Sequence, residues 1–221
     1  MTKEEAVERA RALAPFIAER ALSAEKERKP DDEVIRKLDE AGLFTILVPK
    51  RWGGPELGLD AQFEIVDIVS SACTSTGWIT AFYIGHHLFC CRMSEQAQAE
   101  MFANGPRCLL PSTSASVMEA KKVDGGWILN GKGTWGSGIV HADWAMVAGA
   151  TPEGAISCVI PREDLTYDDV WHMGGMAATG SNDIIAKDVF VPDHRVEMQA
   201  DVMDGTTEGC KICENVPTSI S

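Results

Sequence analysis

The sequence of 221 residues has no long apolar run, and its 20 Lys and Arg are outnumbered by 33 Asp and Glu, a formal net charge of −13. Without an apolar run of about twenty residues, a membrane-spanning helix is not expected. Without a basic excess, a nucleic-acid partner is not expected, because phosphate binding depends on clustered Lys and Arg. The chain opens on a charged segment rather than a signal-peptide pattern. We therefore expect a cytoplasmic protein.

The sequence also lacks a second pair of ligands for its one C-x-x-C motif, Cys210 to Cys213. A structural zinc site needs about four Cys or His ligands, so we predict no metal site. The seven cysteines are an odd number, which fits a reduced compartment better than a disulfide framework. We interpret the motif as two thiols in a loose tail.

The remaining composition, 45% hydrophobic and 24% charged, is typical of a folded globular chain. The hydrophobic period changes from helical to alternating near Gly105. This predicts an α+β protein in which an N-terminal all-α domain (1–104) precedes an antiparallel β-barrel domain (105–197). The last residues, 198–221, show no apolar face and are predicted to form an irregular tail.

Two features of the helical part are unusual. Pro15 interrupts the helical pattern of residues 3–28, so we expect either a kink there or two helices that meet there. Residues 75–91 form one predicted helix that is apolar on every side, with only His86 and His87 as potential charges. Such a helix is expected to be buried or to lie against a ligand.

The β part is a series of short apolar-alternating segments separated by Gly, Asn and Asp. A turn is predicted at Asp124 to Gly126 and a second one at Asn130-Gly131. The predicted strands are 107–110, 118–123, 127–129, 132–137, 144–149, 156–160, 165–171 and 184–191.

The strand at 132–137 has features of a ligand site. Alternation along a strand would put Gly133, Trp135 and Ser137 on one face. A flat aromatic beside a hydroxyl, with glycines that allow a close approach, could hold a planar heteroaromatic ring. The alternative is an ordinary core tryptophan next to a surface serine, and the pattern alone leaves both open.

Several motifs carry a resemblance to a known family. They are residues 133–138 (GTWGSG), 141–144 (HADW), 171–174 (WHMG), 179–183 (TGSND) and 188–192 (DVFVP). In this order they resemble the acyl-CoA dehydrogenase superfamily, and within it the two-component flavin-dependent aromatic monooxygenases. The resemblance spans roughly residues 5 to 205. The C-terminal four-helix bundle of that family has no counterpart within the 221 residues.

The resemblance implies a flavin site. Ser137 corresponds to the hydroxyl that contacts flavin N5, and Trp135 would flank the ring. Ser112 and Ser114 belong to a loop that also touches the flavin in the family. Two positions depart from the family pattern: residues 116–118 replace the usual P-x-G, and Ala177 replaces a frequent arginine.

The resemblance also implies a substrate site on the apolar helix. Trp78 and His86 lie eight residues apart, so both face much the same side of a helix. His86 corresponds to a histidine that contacts the phenol hydroxyl of the substrate, which makes it the candidate catalytic residue, with His87 as the reserve. A histidine in such a helix is more often a hydrogen-bonded core residue.

We therefore expect a flavin-dependent monooxygenase that hydroxylates a phenolic or polycyclic aromatic substrate. It would use reduced flavin (FAD or FMN) from a separate flavin reductase, and the intact form would be a homo-oligomer. Two alternatives stay open. One is an acyl-CoA dehydrogenase that oxidises a thioester with FAD. The other is a non-catalytic truncated remnant that associates with a full-length partner.

Overall fold

The computed structural model describes residues 1–213, apart from the side chains of Ser114 and Ala115. The predicted α+β fold is confirmed, with helices in the first half of the chain and strands in the second. The helices of the first half are α1 (Lys3–Glu27), α2 (Asp32–Glu40), α3 (Leu59–Ala72), α4 (Thr74–Gly85), α5 (His87–Cys90) and α6 (Glu95–Met101). None of the helices among residues 1–213 is long and apolar enough to cross a membrane.

Helix α1 continues through Pro15, so the prediction of two helices meeting there is wrong. A capping box at Thr2 and Glu5 starts this helix of 25 residues. Its buried face includes Ala10 on one side of the proline and Ile17 on the other. Burial of both halves in one core favours a single helix over a break, since packing rather than propensity supplies most helical stability.

The predicted helix 75–91 is divided by His86 into α4 and α5, and it is not buried on every side. Ile79, Tyr83 and Ile84 are fully buried, whereas Trp78 is 46% exposed. One face therefore packs into the helical core and the opposite face is available to a ligand.

In the second half of the chain, the residues described up to 213 form one sheet of seven strands in the order β5-β6-β2-β1-β3-β4-β7. The pairs are antiparallel, except that β1 and β3 run parallel. The strands are β1 (Ser112–Val123), β2 (Gly126–Gly136), β3 (Trp144–Thr151), β4 (Gly154–Pro161), β5 (Thr166–Asp168), β6 (Asn182–Pro192) and β7 (Val196–Met198).

The turn predicted after Asp124 joins β1 to β2, but the turn predicted at Asn130-Gly131 is wrong. These two residues lie inside β2, where the pairing with β6 shifts register between Leu129 and Gly131. Asn130 donates to the Asp188 carboxylate over 3.0 Å and accepts from the Asp188 backbone amide over 2.9 Å. Residues 130 and 131 therefore form a bulge that is held by the neighbouring strand β6, and not the predicted turn.

Three other strand predictions differ from the structure. Residues 107–110 lead into β1 without joining the sheet, β5 is shorter than predicted, and β7 was missed. A three-residue strand carries too little alternation to be seen in a sequence. The domain boundary at residue 104 stays a prediction; α6 ends at Met101 and β1 begins at Ser112.

The segment after β7 is less irregular than predicted. Residues Gln199–Asp204 form α7, and Val202 is fully buried. The Arg92 side chain donates to the Val202 carbonyl over 2.8 Å, and the Thr207 hydroxyl donates to the Arg92 carbonyl over 2.6 Å. The C-x-x-C thiols are buried rather than loose, and residues 214–221 of the predicted tail lie outside the described residues.

Candidate active site

A cavity of about 490 Å³ lies between the exposed face of α4 and α5 and the ends of the strands. This volume is in the range of small-molecule sites. Its lining residues are Trp78, Phe82, His86, Phe89, Ser112, Thr113, Thr134, Trp135, Ser137, Trp171, Met176, Thr179 and Ser181. The cavity thus brings together five of the seven predicted site residues. His87 does not line it, and the side chain of Ser114 lies outside the described part of the chain.

The helical wall of the cavity is aromatic. Trp78, Phe82 and His86 follow each other at intervals of four residues, which places them along one stripe of the helix. Their ring centroids are 4.8 Å apart at each step, and Phe89 extends the row at 5.3 Å from His86. An aromatic wall of this kind can bind a flat apolar ring.

His86 presents one defined nitrogen to the cavity. Its Nδ1 lies 2.7 Å from the Leu110 carbonyl oxygen, an acceptor only, so Nδ1 carries the proton. Burial lowers the pKa of His86 to about 4, and the bond to Leu110 only partly opposes this shift. His86 is therefore neutral near pH 7, and its Nε2 is a hydrogen-bond acceptor.

His87 points elsewhere. It is 1% exposed and does not line the cavity. Its Nδ1 lies 3.2 Å from the Ile84 carbonyl oxygen, and its ring lies against Phe102. His87, the reserve candidate for the substrate contact, therefore lies away from the aromatic wall of the cavity.

The strand wall departs from simple alternation. Pairing between β2 and β6 shifts register between Gly133 and Gly136, and Trp135 has a left-handed φ of 65°. As a result the consecutive residues Thr134 and Trp135 both reach the cavity. Trp135 and Ser137 line the cavity together, as the alternation predicted, whereas Gly133 does not line it. A non-glycine residue at positive φ is strained, and such strain often occurs at functional sites.

Ser112 and Thr113 form part of the cavity beside β2, whereas the side chain of Ser114 lies outside the described residues. The Thr113 hydroxyl is buried and, within the described part of the chain, has no hydrogen-bond partner. A Cβ on Gly133 would come within 2.2 Å of this hydroxyl. Glycine at 133 thus leaves room for an unsatisfied polar group at the cavity wall, which a bound ligand could satisfy.

Ser137 lies at the end of a row of hydroxyl groups that sequence reasoning only partly anticipated. Its Oγ is 3.3 Å from Trp78 Nε1 and 2.7 Å from Ser181 Oγ, and Ser181 Oγ is 2.7 Å from Thr179 Oγ1. Residues 179–183 have the composition of a turn. Their only signal as a site was their place in the family resemblance.

The turn that carries these hydroxyls is held by Glu25 at the end of α1. The Glu25 carboxylate accepts from the amides of Ala177 and Ala178 over 2.8 and 3.3 Å, and from the hydroxyl of Ser75. This contact joins residues about 150 positions apart, so no local pattern could predict it.

The side chains of His141 and Asp143 do not line the cavity, and both contact residues distant in the sequence. His141 Nε2 is 2.8 Å from a carboxylate oxygen of Asp32. Asp143 accepts from the Leu109 amide over 2.8 Å and pairs with Arg107.

Comparison with known proteins finds similar sequences over nearly the whole chain. Residues 2–102 match the acyl-CoA dehydrogenase N-terminal domain. The chain is 43% identical over 220 residues to a pigment production hydroxylase of Rhodococcus sp. (strain ATCC 21145), covering 97% of this chain and 57% of the relative. It is 37% identical over 195 residues to the flavin-dependent monooxygenase oxygenase subunit HsaA of Rhodococcus jostii, covering 86% and 51%.

The fold is shared as well. The structure of XiaF from Streptomyces sp. in complex with FADH2 and glycerol superposes with a TM-score of 0.87 at 31% identity, covering 94% of this chain and 55% of that one. The chain belongs to the acyl-CoA dehydrogenase superfamily. Within it, its relatives are the oxygenase components of flavin-dependent monooxygenases, as the motifs predicted, and it spans little more than half of their length.

Proposed function

We propose that this chain provides the flavin-facing and substrate-facing walls of an oxygenase that hydroxylates a phenolic or polycyclic aromatic substrate with reduced flavin and oxygen. The relatives are named hydroxylases and monooxygenases, which favours this function over thioester dehydrogenation and over a non-catalytic remnant. The observation that carries the proposal is a neutral His86, with Nε2 as an acceptor, on an aromatic wall opposite Trp135 and Ser137.

The strand side of the cavity fits a flavin ring. Trp135 offers an aromatic face and Ser137 a hydroxyl, while the unpartnered Thr113 hydroxyl could satisfy a polar atom at the ring edge. Bound reduced flavin would react with oxygen and supply one oxygen atom to the aromatic substrate. The surrounding aromatic side chains would exclude water from that space.

The helical side fits the substrate. Trp78 and Phe82 would pack against its ring, and His86 Nε2 would accept a hydrogen bond from its phenol hydroxyl. Because the pKa of His86 is about 4, the imidazole would share this proton rather than remove it. Even partial sharing raises electron density at the carbon ortho to the oxygen, the position that an electrophilic oxygen attacks.

Binding of a matched pair of ligands tests the role of His86. We expect 2-naphthol to bind about fivefold more tightly than 2-methoxynaphthalene, because the ether cannot donate to Nε2 and one such bond is worth about 1 kcal/mol. His86→Asn keeps a donor for the Leu110 carbonyl and removes the Nε2 acceptor, so it should abolish this preference. Isothermal titration calorimetry measures both affinities.

His87→Asn is the control, because it makes the same substitution in the adjacent residue, which does not line the cavity. It should keep the preference for the naphthol. An equal preference in wild type and His86→Asn would remove His86 from the substrate site.

A flavin titration tests the opposite wall. We expect this chain alone to bind FMN and FAD weakly, since a site that lacks part of its enclosure loses buried contact area. Replacing both Trp135 and Ser137 with alanine should weaken binding at least about tenfold, because a stacked ring and a hydrogen bond each contribute about 1 kcal/mol. Flavin fluorescence reports the affinity.

Phe190→Ala is the matched control for the aromatic truncation, since Phe190 is an exposed aromatic residue of β6 outside the cavity. It should leave flavin affinity unchanged. If the Trp135 and Ser137 variant also binds flavin like wild type, this wall is not the flavin site.

Two further expectations are part of the proposal. Reduced flavin would come from a separate reductase, since one relative is named an oxygenase subunit. The intact form would be a homo-oligomer of cytoplasmic location, which size-exclusion chromatography and cell fractionation can test.

A further inference from the structure

The row of hydroxyls behind Ser137 has a defined hydrogen-bond direction. It begins at the indole N–H of Trp78, passes through Ser137, Ser181 and Thr179, and ends at the Met176 carbonyl, 2.9 Å from Thr179 Oγ1. The three hydroxyl residues are buried, with 9%, 3% and 1% exposure in that order. Each hydroxyl has a single proton, so the direction can be worked out from the two ends.

The Met176 carbonyl sets the direction. A carbonyl only accepts, so the Thr179 hydroxyl donates its proton to Met176. Thr179 then accepts from Ser181. Because Ser181 donates its one proton to Thr179, it accepts from Ser137. At the other end, the Trp78 indole can only donate to Ser137. The Ser137 hydroxyl therefore has no proton left for the cavity and can only accept there.

The fixed end is itself held in place. The Met176 carbonyl also accepts from the Thr179 amide over 3.1 Å and from the Trp171 indole over 2.9 Å. Glu25 holds the next two amides of the same turn. Reversing the row would keep these two bonds to the carbonyl. It would lose the bond from the Thr179 hydroxyl and turn the Ser137 proton towards the cavity, so the row in the direction described has one more hydrogen bond.

We propose that Ser181 and Thr179 are positioning residues that keep Ser137 an acceptor, so that the site selects reduced flavin over oxidised flavin. The inference rests on the proposed function, which places a flavin ring edge at Ser137. Reduced flavin carries a proton on N5 and donates it to such an acceptor. Oxidised flavin has a bare N5, which needs a donor, and two acceptors facing each other do not bond.

The expected effect is a selection of roughly twofold to tenfold for reduced flavin, because oxidised flavin is paired at N5 only if the row reverses and gives up one hydrogen bond. Each factor of ten in this ratio raises the midpoint potential of the bound flavin by about 30 mV for a two-electron couple. Anaerobic titrations with reduced and with oxidised FMN measure the ratio, and a redox titration of the bound flavin measures the potential independently.

Ser181→Ala should abolish the selection, because it frees the Ser137 proton to turn towards the cavity. Oxidised FMN should then bind more tightly than it does to wild type, and the midpoint potential should fall. Thr179→Val should have the same effect, although Thr179 lies one residue further along the row from Ser137. Thr179→Ser keeps the hydroxyl and should keep the ratio of the affinities for reduced and oxidised FMN. Ser157→Ala removes a buried serine of β4 outside the cavity and should change neither quantity.

Ser137→Ala distinguishes an effect of the hydrogen-bond direction in the row from an effect of the Ser137 hydroxyl simply contacting the flavin. It should lower the ratio by weakening reduced FMN without tightening oxidised FMN. If FMN binds but its ratio is the same in wild type, Ser181→Ala and Thr179→Val, the inference is overturned while the proposed function stands. If wild type binds neither form of FMN or FAD, the proposed function fails and the inference fails with it.

Discussion

Gly138→Ala is expected to destabilise the fold by about 2–5 kcal/mol. Gly138 has a φ of 78°, and an alanine in this left-handed region costs about 1–2 kcal/mol. The added Cβ would also lie 2.5 Å from the hydroxyl oxygen of the fully buried Tyr83, which now donates to the Gly138 carbonyl. Overpacking of this kind adds about 1–3 kcal/mol. Urea denaturation followed by fluorescence measures the free energy of unfolding.

Gly125→Ala is the matched control. Gly125 has nearly the same φ, 74°, but a Cβ added there would have no described atom within 4 Å beyond its chain neighbours. This variant should show the backbone cost alone. Equal destabilisation by both variants would mean that the contact with Tyr83 adds nothing.

The second large effect is expected in mild acid, where the fold should lose stability because of two buried histidines. Burial lowers the pKa of both His86 and His87 to about 4, below an unfolded value near 6.5. Below pH 6.5 the unfolded chain binds protons that the folded chain does not, so the free energy of unfolding falls as pH falls towards 4. Above pH 6.5 their contribution is complete and constant.

Between pH 6 and pH 5 the two histidines should together lower the free energy of unfolding by about 2 kcal/mol. Denaturation curves at several pH values test this by comparing wild type with His86→Asn and His87→Asn, each of which should remove about half of the pair's share. The carboxylates with lowered pKa, such as Asp32 and Glu100, titrate mainly at lower pH. His141, whose pKa burial also lowers, is kept in every variant. An unchanged slope in both variants would contradict the prediction.

The sequence predicted the features that depend on local period and on motifs. The change from helices to strands, the turn after Asp124 and the placement of Trp78 and His86 on one face all follow from spacing over a few residues. The family resemblance pointed to Trp135 and Ser137, which the structure places in the same cavity.

The features that the sequence did not predict depend on distant partners. Asn130-Gly131 has the composition of a turn, but the bond to Asp188 on β6 keeps it inside a strand. The bulge before Gly136 brings Thr134 and Trp135 to the cavity together, which no alternating pattern shows. Ser181 and Thr179 have the composition of a turn, and only the contact with Ser137 reveals them as part of the cavity wall.

The contact between Glu25 and the turn at residues 177–178 also bears on the order in which the protein is made. A ribosome releases the end of α1 long before it adds its partners, which lie 152 and 153 positions later. The wall formed by the aromatic helix can fold early, but the opposite wall has to await β6 and the loop before it. Contacts of such long range are slow to form, so during synthesis the nascent chain acquires both walls of the cavity only after most of the described residues have been translated.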